Sequence, residues 1–158
     1  MDARADSRSE DLEFVAADGS CFRLRLLGRQ FPRVTSGPDT NWLLVHGRIE
    51  MADETWEFVE PSLEITDVHW IVRWLDQLAR GDAKEERLEF NEPELALHSR
   101  ADLGPTGFAL QLDRHAKPPS RKPGLVGDDP FVLEFAPSSA SLRAAAMRLR
   151  RRLEEVER

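Results

Sequence analysis

Histidine, cysteine and closely spaced carboxylates are the side chains with which this chain of 158 residues could do chemistry. Histidines stand at 46, 69, 98 and 115. No two share the His-x-x-x-His spacing that puts a pair of metal ligands on one helix face. Cys21 is the single cysteine, which excludes an internal disulfide and offers no Cys/His nucleophile arrangement. The nucleophile elbow GxSxG, the phosphate-cradling Walker loop and the dinucleotide fingerprint GxGxxG do not occur. Glu92 and Glu94 flank Pro93, with His98 a few residues on. Paired carboxylates do acid–base work when their environments push their pKa values apart. The plainer reading is that Pro93 bends an edge strand and the charges there block unwanted strand pairing. The residues therefore point to a chain that is not an enzyme and needs no cofactor or metal.

Charge is the stronger signal. The chain carries 29 acidic and 22 basic residues, a net charge of -7. The excess lies in residues 50–94, with 14 Asp/Glu against 4 Arg/Lys, while residues 95–158 are net basic. Nucleic-acid binding is disfavoured, because phosphate contacts need a positive face. The basic loop from Arg114 to Lys122 holds no aromatic side chain on which a base could stack, and reads as solvated. Glu50, Asp53, Glu54, Glu57, Glu60 and Glu64 fall in one hairpin and its exit. Such a belt would steer a basic partner and speed its encounter. Trp70 and Trp74, one turn apart on the next helix, are either packed under a loop or the anchors of that contact. No stretch approaches the roughly 18 apolar residues of a membrane helix, and the polar start has no signal-peptide core. A cytoplasmic location with no membrane contact is expected.

These residues need elements to hold them. Residues 1–11 read as a flexible tail, and 12–158 as one domain. Leu12, Phe14 and Ala16 alternate with polar neighbours, Asp18-Gly19 turns the chain, and Phe22, Leu24 and Leu26 return. Asn41 to Glu50 reads as a strand with Leu43, Val45, Gly47 and Ile49 on one face. A second strand from Trp56 ends at Glu60-Pro61, with Trp56 facing Trp42 across the pair. Val68, Ile71, Val72, Leu75, Leu78 and Ala79 form one helical stripe, with Thr66 as N-cap and Gly81 at the C-cap. Strands follow at Leu88–Phe90, Leu95–Leu97, Phe108–Leu112 and Phe131–Phe135. A final helix, capped by Ser139 or Ser141, carries Leu142, Ala146, Leu149, Leu153 and Val156 among many arginines. About eight strands in short antiparallel steps with two helices predict an α+β domain, mainly antiparallel and sandwich-like.

Four segments, in this order, carry a family resemblance: Asn41-Trp42-Leu43 leading to Val45-x-Gly47; Trp56 followed by Pro61-x-Leu63; Trp74-Leu75 and Leu78 before Gly81; and Leu88-x-Phe90-x-Glu92-Pro93-x-Leu95. Over roughly residues 12–135 the chain resembles the WapI-type immunity proteins of bacterial polymorphic toxin systems. The resemblance implies a cytosolic antidote that binds a toxin domain and blocks it without chemistry of its own. For the WapI type that toxin is a nuclease acting on tRNA, and an acidic face suits a basic nuclease site. The expected contact residues are Glu50, Asp53, Glu54, Glu57, Glu60, Glu64, Trp70 and Trp74. The alternative is a self-assembling module, a homodimer joined through Trp70, Trp74 and the C-terminal helix.

Overall fold

The computed structural model describes residues 10–82, 86–121 and 129–158. Its elements run in the order of two four-strand meanders, each followed by a helix. The first meander is β1 (Leu12–Val15), β2 (Cys21–Arg29), β3 (Trp42–Glu50) and β4 (Thr55–Glu64), leading into α1 (Ile65–Ala79). The second is β5 (Arg87–Glu89), β6 (Leu95–Ser99), β7 (Phe108–Leu112) and β8 (Phe131–Phe135), leading into α2 (Ser139–Glu157). In both sheets strand order follows chain order and every pairing is antiparallel. The α+β class with two antiparallel sheets is as the periodicity predicts. No sequence repeat accompanies the repeated order of elements.

The alternation of side chains decides what is buried. Leu12 and Phe14 of β1, Phe22, Leu24 and Leu26 of β2, and Leu43, Val45 and Ile49 of β3 all point inward. They meet Leu95, Leu97, Phe108, Leu110, Leu112, Leu133 and Phe135 of the second sheet in one core. Aromatic rings join the two layers: Phe14 stands edge-on to Phe108 with centroids 5.0 Å apart, and Trp56 edge-on to Phe131 at 5.6 Å. Gly47 is glycine for a local reason. A Cβ there would run into the Phe58 ring, which lies across the strand on its register partner.

Several details depart from expectation. β4 does not stop at Pro61 but continues to Glu64. The register jumps between Leu43 and Val45, so a bulge inserts an extra residue on β4. The inward phase thus shifts from Trp56 and Phe58 to Leu63, and strict alternation is lost where the strand continues. Pro61 is tolerated because β4 is an edge strand. Trp42 lies opposite Glu64 while Trp56 lies opposite Ile49, so the two indoles do not face each other. β5 ends at Glu89, and Phe90 packs on the core from outside the strand.

The helix caps also move. Glu64, not Thr66, is the N-cap of α1. It forms a capping box with Asp67, whose Oδ2 accepts from the Glu64 N–H at 2.8 Å. Gly81 takes the positive φ of 73° expected after the helix. Ser138, one residue before the expected pair, caps α2 and accepts from Ser141 N–H at 3.1 Å. The two helices pack antiparallel, His69 Nε2 lying 3.1 Å from Glu157 Oε1 and Arg150 Nη2 donating to Asp76 Oδ2 at 2.9 Å.

Of the tail expected over residues 1–11, Glu10 and Asp11 are described, and both are held by β2. Asp11 is buried, and its Oδ2 accepts from the Leu26 N–H at 2.7 Å. Arg25 Nη2 donates to Glu10 Oε1 at 3.3 Å. Among the described residues no helix is long and apolar enough to cross a membrane.

Candidate partner-binding surface

The acidic hairpin is β3, its turn and β4. Its carboxylates are divided by the pleat and the bulge into three places. On the outer face of the first sheet, Glu13, Arg23, Arg48 and Glu57 lie side by side across four strands. Arg23 donates to Glu13 at 2.9 Å and to Glu50 at 2.8 Å. Arg48 donates to Glu50 and to Glu57, each at 2.9 Å, and His46 Nε2 is 3.3 Å from Glu57. The Arg48 hydrogen bond is the main cause that holds the Glu50 and Glu57 carboxyls below the usual glutamate value. The same two bonds raise the Arg48 guanidinium. This part of the belt is therefore a lattice of opposite charges.

At the β3–β4 turn Asp53 is exposed, and Glu54 is engaged by the second sheet's loop. Ser120 donates to Glu54 from its N–H at 3.1 Å and from its hydroxyl at 2.7 Å. The loop carrying Ser120 is not simply solvated. Ala116, Lys117 and Pro118 are buried, and the Trp56 indole N–H donates to the Ala116 carbonyl at 2.9 Å. Residues 113–121 form a strap across β4, whereas 122–128 lie outside the described residues. The buried Lys117 stands 3.6 Å from Asp113.

At the far end of β4, Glu60 is half-buried beside the bulge, and Glu64 accepts from Asn91 Nδ2 at 2.9 Å. Asp53 and Glu60 form no salt bridge with a described residue. The structure thus brings Glu50 and Glu57 together, leaves Asp53 and Glu54 at one end of the hairpin, and sets Glu60 and Glu64 at the other.

The two helix tryptophans separate completely. Trp70 is 50% exposed, with the Arg73 guanidinium 5.6 Å above its ring. Trp74 is 1% exposed and stands edge-on to Phe108 at 5.2 Å. Trp74 is therefore a core residue, which the contact reading did not expect. Position 74 lies three residues after Ile71 and four before Leu78, which widens the apolar stripe to include it.

The remaining candidates for chemistry do not converge. His98 lies on the outer face of β6, opposite Arg87 and Ala109, while Glu94 is buried before the strand begins. Burial pushes the Cys21 thiol up. Among the described residues no three His, Cys, Asp or Glu side chains group so as to hold a metal. Residues such as Ser120 and Ala116, which fix one end of the acidic hairpin, carried no signal in the sequence; only tertiary contact reveals them.

No curated protein matches this chain. Among solved structures, that of the plant transcriptional regulator PBF-2 is similar at 8% identity and a TM-score of 0.48, covering 87% of this chain and 84% of that one; so distant a likeness carries no argument. The model of the immunity protein WapI-like family matches residues 13–157. That span runs from β1 to the last residue of α2, so it includes the C-terminal helix that the four sequence segments left out. Both meanders and both helices fall within it, and the chain belongs to the immunity protein WapI-like family.

Proposed function

We propose that this chain is a non-enzymatic antidote that binds a cognate bacterial toxin domain and blocks it by occlusion. The family match over residues 13–157 carries this reading. The charge distribution supports a basic partner, such as a nuclease domain whose substrate site holds phosphates. The contact residues we favour are the hairpin carboxylates with no salt bridge to a described residue, Asp53, Glu54, Glu60 and Glu64, with Glu50 and Glu57 beside them and Trp70 as the exposed aromatic. Glu50 and Glu57 are partly neutralised by Arg23 and Arg48, so they contribute register more than net attraction. The cytoplasm, where a toxin must be met, is the proposed location.

The test is rescue. The toxin domain encoded beside this gene is expressed with and without this chain, and survivors are counted. Survival with a co-purifying complex supports the reading. Death despite soluble antidote removes that toxin as the partner. Within a complex, Asp53→Lys combined with Glu60→Lys is expected to slow association about tenfold at low salt and to flatten its salt dependence. An unchanged association rate would place the contact elsewhere.

A further inference from the structure

When one face of an antiparallel sheet packs in the core, the side chains on its other face are ordinarily polar. The first sheet keeps that rule at one end only, where Arg23, Arg48, Glu50 and Glu57 form the charged lattice. Toward the other end its three long strands change together. Outward on β2, Arg23 and Arg25 give way to Leu27; on β3, Arg48 and His46 give way to Leu44 and Trp42; on β4, Glu57 gives way to Val59. Leu27 is 45% and Val59 52% exposed, while Leu44 and Trp42 of the strand between are half-buried.

The register sets a bulge on each side of Leu44. Leu26 pairs with Val45 and Gly28 with Leu44, so Leu27 is the extra residue on β2. Leu63 pairs with Leu43 and Glu60 with Val45, so Pro61 and Ser62 together face Leu44 on β4. Bulges re-aim side chains and sharpen the local twist. A side chain at Gly28 would meet nothing within 4 Å among the described residues, which leaves the ladder open beside Leu44. Val59, opposite His46, stands diagonal to Leu44, near enough for the two side chains to share a contact. Leu27 and Val59 are thus the two lips of a shallow apolar notch with Leu44 as its floor. The rim on the β4 side is acidic: Glu57 stands two residues before Val59 and Glu60 directly after it, and Glu60 forms no salt bridge with a described residue.

We propose that the toxin domain docks on this notch, placing one branched apolar side chain over Leu44 and a lysine or arginine beside it over Glu60. An apolar centre ringed by charge is the anatomy of a protein contact, and apolar side chains gathered on an outer face mark such contacts. The acidic rim selects for a basic partner. The inference rests on the antidote reading and names the surface through which it acts.

Access is tested with Val59→Cys in the full chain, alkylated by iodoacetamide; the native Cys21 is buried. Rapid labelling of the free chain is expected, slowed more than about tenfold once the toxin domain encoded beside this gene is bound. Slow labelling of the free chain means that its own residues cover the face, and overturns the proposal. Labelling that slows as the chain's own concentration rises means that a second copy takes the face, and also overturns it. A stable toxin complex that labels as fast as the free chain overturns it while preserving the antidote reading. Affinity is tested with Val59→Arg and Leu27→Arg, which alter the two lips from different strands. Each should weaken toxin binding more than about tenfold with little shift in the urea midpoint, and Val59→Ile should bind as the wild type does. Unchanged binding in the arginine variants overturns the proposal, and either one decides it if the other fails to fold. A wild type that does not bind that toxin removes it as the partner, and with it the occupant proposed for the notch.

Discussion

Trp70 and Trp74 share a residue type, a helix and a spacing of one turn, yet one is half exposed and the other is sealed under Phe108. Their substitutions should therefore read out different properties. Trp74→Ala removes a large ring from a packed core and is expected to cost about 3–5 kcal/mol. That is much of the ~5–15 kcal/mol that holds an ordinary domain together. Trp70→Ala should change stability by only about 0.5 kcal/mol. If Trp70 anchors the toxin, it should weaken binding by more than about tenfold. Urea unfolding beside a binding titration separates the two, and equal destabilisation by both substitutions would contradict the burial described here. The stripe from Val68 to Ala79 was legible in the sequence as a helix face. Its width was not, because the ring that receives Trp74, Phe108, comes from β7, more than thirty residues along the chain.

At the scale of elements, the least expected device joins the two ends of the domain. β1 begins at Leu12, opposite Leu24, so Leu26 lies beyond the reach of its neighbour strand. Side chains take over the pairing. Asp11 accepts from the Leu26 N–H, while Arg152 of α2 donates Nε and Nη2 to the Leu26 carbonyl at 3.0 and 2.9 Å. Arg152→Met keeps an apolar stem but strands that carbonyl and leaves Asp11 with less positive charge nearby; a loss of about 1–3 kcal/mol is expected. The pH dependence has a definite sign. Burial is the main cause that raises the Asp11 carboxyl above the ordinary 3.8, against the Leu26 hydrogen bond and the Arg152 charge, which lower it. The folded chain therefore holds this proton more tightly than the unfolded chain. The stability of the wild type relative to Asp11→Asn should fall as pH rises from 3.8 to the raised value, and stay level above it. Removing Arg152 should widen that interval. Urea titrations of the three proteins across acidic pH check this, and a gap that grows with pH would refute it. Nothing local marked Asp11 for this role, since it follows a polar stretch and its partners lie 15 and 141 positions away. The strands themselves were legible wherever alternation is strict, as in β1, β2, β3 and β8. Legibility failed at the Pro61–Ser62 bulge, where an extra residue reverses the phase, and at the strap from 113 to 121, whose burial depends on Trp56 and Glu54 of another sheet.

At the scale of the whole molecule, the net charge is -7, and among the described residues the carboxylates of the β3–β4 hairpin are spread over three places. The pleat sets Glu50 and Glu57 among arginines and leaves Asp53, Glu54, Glu60 and Glu64 as the hairpin carboxylates without a salt bridge to a described residue, Glu54 and Glu64 accepting only from the neutral Ser120 and Asn91. The composition predicted the amount of charge, while the pairing that decides its field needed the register of β1 to β4. The succession of two meanders has a further consequence, and it concerns time. Every strand pairs with its neighbour in sequence, so no sheet contact has to wait for a distant part of the chain. Such local pairing shortens the search for the native state, because little loop-closure entropy is lost before contacts form. The main refolding phase, followed by tryptophan fluorescence after dilution from urea, is expected to finish within about a second, with only proline isomerisation slower. A main phase of minutes would contradict this. On the antidote reading proposed above, quick assembly would matter as much as tight binding: a cell would be safe only when the shield is ready first.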